Sequence, residues 1–161
     1  MSYTLATKLF GEIKVSLEEG FFDDVEDATN NRSFHLDIFD EVTEEKDFLK
    51  IGKLLDAYHE LDQQAKRFLL QEYQKNNPDV HIYYDTYKEE LQEELDRAFA
   101  PDEQSIEHLI NKTEIASIWF NLEDEDILAT FDYRLLADHG DAILVVRFDD
   151  QKRIVDLYLE E

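Results

Sequence analysis

The sequence predicts an α+β fold: an antiparallel sheet made of an N-terminal strand pair and a C-terminal four-strand meander, with acidic helices packed on one face. Three observations lead there. Residues 115–159 hold four runs in which apolar and polar side chains alternate, the period-two signature of strands with one dry face. Short polar links join these runs, which favours hairpins over helical crossovers. The middle of the chain instead carries apolar residues at spacings of three and four, the helical period.

Phe10–Glu18 reads as the first strand, with Ile13, Val15 and Leu17 turned inward. Ser33–Phe39 reads as the second, with Phe34, Leu36 and Ile38 alternating against His35 and Asp37. Residues 19–32 between them read as a long loop, anchored by Phe21 and Phe22, with Asn30-Asn31 turning into the second strand. Thr43 is the expected N-cap of a helix whose core stripe is Phe48, Ile51, Leu55 and Tyr58. Glu44 and Glu45 fall in its first turn, where the helix dipole favours anions. The next stretch admits two readings: Asp62 caps a second helix carrying Ala65, Phe68, Leu69 and Tyr73, or one helix runs on through His59. Asn76-Asn77-Pro78 ends it. A helix over 82–99 then carries Tyr84, Tyr87, Leu91, Leu95 and Ala98 inward, and Pro101 and Asp102 open a shorter one with Ile106, Leu109 and Ile110.

The meander strands are 115–122, 127–135, 142–148 and 153–159. Ile118 and Phe120 share a face with Ala116 and Leu122, and Trp119 falls on the other, under a helix or as a binding anchor. Ile127, Ala129, Phe131, Tyr133 and Leu135 form the apolar face of the second strand. The third is almost continuously apolar and suits a central position covered on both faces. In the fourth, Val155, Leu157 and Leu159 alternate against Ile154, Asp156 and Tyr158.

At 161 residues the chain fits one domain. Its 40 acidic and 16 basic residues give a net charge of −24. Such a field repels nucleic acid and anionic membranes and attracts basic proteins and cations. No segment approaches the roughly 20 apolar residues of a membrane helix, and the start lacks the apolar core of a signal peptide. With no cysteine there is no disulfide framework, and the sequence reads as a cytoplasmic protein. Repulsion among the carboxylates predicts that they take up protons more readily when folded, so that mild acid and added salt stabilise the fold.

No motif assigns catalysis, a metal or a cofactor. Asp23-Asp24-Val25-Glu26-Asp27 lacks the ligand spacing and central glycine of an EF-hand loop. His59-Glu60 opens like a zincin motif, but Gln63 stands where its second histidine is required. There is no Gly-x-Ser-x-Gly elbow and no cysteine nucleophile. The candidates are therefore for binding a basic protein. They are Asp23, Asp24, Glu26 and Asp27 in the first acidic loop, and Glu123, Asp124, Glu125 and Asp126 at a hairpin tip. Tyr83 joins them as the expected most exposed member of the cluster Tyr83, Tyr84 and Tyr87, since tyrosine is enriched at interfaces.

The opening Leu9-Phe10-Gly11-Glu12-Ile13, the aspartate-rich second strand, the acidic helices and the closing Tyr133-Arg134-Leu135-Leu136, Ile143–Asp149 and Val155 resemble an uncharacterised bacterial family. It is the domain-of-unknown-function family numbered two thousand and four. The resemblance covers most of the chain, and its motifs are structural. Some members of such small acidic families lie beside secreted toxins and look like immunity proteins. The resemblance thus implies a non-enzymatic protein that neutralises a basic toxin. The competing readings are an enzyme with a carboxylate or metal-dependent site and a housekeeping interaction module.

Overall fold

Eight strands and five α-helices succeed one another in the computed structural model, which describes residues 1–161. Strands β1 (Ser2–Ala6) and β2 (Glu12–Ser16) form a separate antiparallel ribbon. Strands β3 (Phe21–Asp27) and β4 (Arg32–Ile38) precede the helices α1 (Glu45–Asp56), α2 (Tyr58–Gln74), α3 (Pro78–Glu90), α4 (Gln92–Ala98) and α5 (Ile106–Lys112). Strands β5 (Glu114–Glu123), β6 (Asp126–Arg134), β7 (Ile143–Phe148) and β8 (Ile154–Glu160) close the chain. The main sheet runs β3-β4-β5-β6-β7-β8. The C-terminal four pair antiparallel in chain order, as their alternation and short links predict.

The N-terminal half departs from expectation. The strands read at 10–18 and 33–39 do not pair: β2 pairs with β1, and β4 with β3 and β5. The first part of the expected 19–32 loop is strand β3. Its acidic composition hides a period of two, in which Val25 and Asp27 turn inward while Phe22, Asp24 and Glu26 turn out. The β4–β5 pair is parallel, because the whole helical block lies between these strands and returns the chain to the end from which β4 set out.

Local chemistry sets the helix ends. Glu44, not Thr43, is the N-cap residue of α1, and its side chain makes no cap bond. The chain breaks at Ala57, so Asp62 lies buried inside α2 rather than capping it. Asn77 caps α3 by accepting from the Asp79 N–H at 3.0 Å, with Pro78 in the first turn. The helix expected over 82–99 is two helices, parted at Leu91. Ser105 caps α5, its hydroxyl accepting from the His108 N–H at 3.3 Å. A bulge opposite Arg147 and Phe148 shifts the alternation of β8. Ile154 packs on the core, and Val155 is 51 % exposed.

Leu36, Ile118, Phe120, Phe131, Val146 and Phe148 from the sheet meet Phe48, Ile51, Leu55, Leu61 and Leu69 from the helices in one core. Tyrosines bridge the layers with satisfied hydroxyls, as buried tyrosines require. Tyr133 donates to Asp62 at 2.9 Å, and Tyr84 is 2.8 Å from the Thr113 hydroxyl. Tyr83 belongs to this set, which corrects its placement at an exposed rim. It is 1 % exposed, and its oxygen accepts from the Leu135 N–H at 2.7 Å. No helix is long and apolar enough to cross a membrane.

Candidate protein-binding face

The side chains of β3–β8 that point away from the core line up in rows across the sheet. One row is Phe22, Asp37, Trp119, Thr130, Arg147 and Asp156. The next is Asp24, His35, Ser117, Asp132, Val145 and Tyr158. The face is thus built of aromatic rings set among carboxylates. Trp119 stacks on Phe39 with ring centroids 5.2 Å apart, and the Arg147 guanidinium lies 5.9 Å above the indole. Phe22 sits edge-on to His35 at 4.2 Å and is itself 75 % exposed. Nδ1 of His35 lies 3.2 Å from Asp24, while its buried Nε2 has no partner.

Two carboxyls on this face are displaced upward in pKa. Burial raises Asp132, against the opposing bonds donated by Ser117 at 2.6 Å and by the Trp119 indole at 3.5 Å. Burial also raises Asp37, with His35 pulling the other way. Elsewhere local bonds hold carboxyls down: the N-terminal ammonium at Glu18, Gln104 at Asp96 and Lys112 at Glu103. The expected uptake of protons on folding is therefore concentrated at Asp37 and Asp132. A raised folded pKa means this contribution is complete below the ordinary value of 3.8 and is lost as pH rises through the folded value. Asp132→Asn, which keeps an acceptor for Ser117, is expected to stabilise the protein by about 1 kcal/mol at pH 7. Its thermal midpoint should change less between pH 4 and 7 than that of the wild type. An unchanged pH profile would mean that Asp132 carries no such burden.

The predicted acids fall in different places. Asp24 and Glu26 lie on this face along β3, an edge strand rather than a loop. Asp23 is exposed but points to the opposite side. Asp27 is 0 % exposed and unavailable to a partner, which corrects its assignment as a contact acid. Asp124 and Glu125 form the two-residue turn of the β5–β6 hairpin, with φ of 51° and 72°. Glu123, Asp124 and Asp126 line a groove of about 520 Å³ that runs to Asp149, Asp150 and Asp156, at the Arg147–Asp156 end of the Trp119 row. Arg147 ties the groove to the face, reaching Glu123 at 3.1 Å and the Thr130 hydroxyl at 3.2 Å. Sequence reading missed Phe22, Asp37, Asp132 and Arg147 as site residues. Alternation marked only Asp37 and Asp132 as outward-facing; Phe22, expected to anchor a loop to the core, is exposed on β3 instead, and Arg147 lies in a strand expected to be covered on both faces. Their assembly into one surface needs the strand order.

A second concavity lies between α2 and β4, lined by Arg32, Tyr58, His59, Asp62, Lys66 and Glu114. Its charges are engaged with one another. Lys66 is 3.5 Å from Asp62 and donates to the Asn111 carbonyl at 3.0 Å, and Arg32 is 3.7 Å from Glu114.

The fold and this face together define an α+β domain with one sheet face packed under helices and the other aromatic and acidic, its central Thr130 and Val145 buried beneath their neighbours and its β3 side exposed at Phe22 and Asp24. Comparison with family models, with curated proteins and with solved structures finds no match to this chain.

Proposed function

We propose that this protein is a non-enzymatic acidic binding module that docks a basic protein on the outer face of its sheet. The observation that carries the reading is the setting of Trp119, Phe22 and Tyr158 among Asp24, Asp37, Asp132 and Asp156, in a chain of net charge −24. Lysine and arginine side chains are attracted both to carboxylates and to aromatic faces, so one surface serves both contacts. The long-range field steers a basic partner inward, and the rings then set how long it stays. The family resemblance extends this to an immunity protein that neutralises a basic toxin in the cytoplasm. The reading involves no cofactor, nucleic acid or membrane.

Capture at low salt from the native cell supplies the partner, and kinetics decide the matter. Trp119→Ala is expected to raise the dissociation rate about 30-fold, the equivalent of a 2 kcal/mol hot spot. Neutralising Glu123, Asp124, Glu125 and Asp126 together should slow association and flatten its salt dependence. Unchanged rates in both variants, or capture of neutral and acidic partners alone, would overturn the proposal.

A further inference from the structure

At the hairpin end of the outer face, the chain leaves Phe39 and enters the first turn of α1. A pocket of about 170 Å³ lies there, walled by Glu41, Glu44, Asp47 and Glu125, with Thr43 and Leu122 between them. Lys46 also lines it, but that ammonium is engaged by Glu44 at 3.3 Å. Glu41 is fixed in place, its Oε1 accepting from the Leu122 N–H at 2.9 Å.

Asp47 is the unexplained member. It is 3 % exposed, and its buried Oδ1 has no hydrogen-bond partner. A carboxylate oxygen held out of water without a donor loses its hydration with nothing to replace it. The N-terminus of α1 offsets part of this, because the helix dipole favours an anion at the third helical position. Lys50, one turn further on, has its ammonium taken by Asp150 at 3.1 Å. The ammonium groups of Lys46 and Lys50 are thus taken by Glu44 and Asp150, and Asp47 Oδ1 is left without a donor.

We infer that this pocket receives a lysine side chain of the basic partner, with Asp47 as the buried acceptor and Glu41, Glu44 and Glu125 as the acidic wall. A divalent metal is the other cation to weigh. It needs several ligand oxygens converged on one point, and no group of three acids or histidines here is so arranged. An ammonium instead has three rotatable donors and accepts acceptors spread around a wall. The inference rests on the docking reading and adds to it the side chain that the partner presents.

Backbone-amide NMR at low ionic strength tests it, with a hexalysine peptide as the probe. The peptide should give saturable shifts concentrated at residues 41–47 and 122–125. Asp47→Asn should weaken that binding about tenfold, the effect of losing one charge-assisted hydrogen bond. Glu125→Gln, at the exposed rim where folding is not at stake, should weaken it about twofold. Shifts spread evenly over the acidic surface and unaltered by either variant would overturn the inference. So would magnesium or calcium chloride shifting the same amides and excluding the peptide. Shifts confined to the Trp119 and Asp132 rows would remove the pocket and leave the docking reading intact. Failure of that reading has a different signature: the peptide still fills the pocket, and Trp119→Ala leaves the partner's kinetics unchanged.

Discussion

Gly20→Ala is expected to destabilise the protein by about 3 kcal/mol, the sum of a left-handed backbone in a residue with a side chain and a steric clash. Gly20 has φ of +78°, and an added Cβ would overlap the Ile38 carbonyl oxygen. That neighbour is backbone at the end of β4 and cannot swing aside as a side chain would. Gly20 also exchanges two hydrogen bonds with Ser16, at 2.9 and 3.0 Å, and so fixes how the β1–β2 ribbon joins the main sheet. Gly11→Ala supplies the control. Its φ is +73°, but nothing lies near the added atom, so only the backbone term of about 1 kcal/mol remains. Urea unfolding of both variants measures the difference. Equal losses would show that the close approach at Ile38 contributes nothing.

Asp27→Ala is expected to cost about 3 kcal/mol, because it strands the buried Tyr58 hydroxyl and at the same time releases the turn that Thr29 and Asn30 make around the carboxylate. Oδ2 accepts from the Tyr58 hydroxyl and from the Asn30 amide, each at 2.6 Å, and Oδ1 accepts from the Thr29 N–H at 3.1 Å. Tyr58 in turn packs against Phe10 and Phe34, with centroids 5.5 and 5.4 Å away. Burial pushes the Asp27 carboxyl up, but the bonds from Tyr58, Asn30 and Thr29 outweigh it and hold the pKa below the ordinary 3.8. With the folded pKa depressed, the stabilisation is complete above that ordinary value and is lost as pH falls through the folded one. Asp27→Asn should therefore be most damaging near neutrality, and its deficit should shrink in acid. Chemical unfolding at pH 7 and pH 3 reads this out. A deficit that stays constant with pH would mean the neutral acid serves as well as the carboxylate. Once stability is matched, neither Asp27 variant should alter the association rate with a basic partner. A changed rate would return Asp27 to the binding surface.

Local pattern was enough to place the strands of the C-terminal third, to say which face of β5 and β6 is dry, and to join the four as a meander; at the start of β8 the bulge put Ile154 rather than Val155 on the core. Alternation over 115–159 is a local property, and tight links leave a strand little choice but to fold back on its predecessor. Composition likewise set the charge, and with it the chemistry of any partner the field attracts. The remaining features were settled by packing in three dimensions. An acidic run became the edge strand β3 because two of its inward positions are taken by Val25 and by Asp27, whose charge is met by Tyr58 and Asn30. Tyr83 went inside because the Leu135 N–H needed an acceptor there. Residue type alone left both open, since tyrosine and aspartate are each stable in either place when their polar atoms are met. The outer face belongs to the same category. His35 and Asp37 stand beside Ser117 and Trp119 only because β4 and β5 pair in parallel across the whole helical block. A contact between strands so far apart is set by the packing of the helices between them, and no local period in the sequence encodes it.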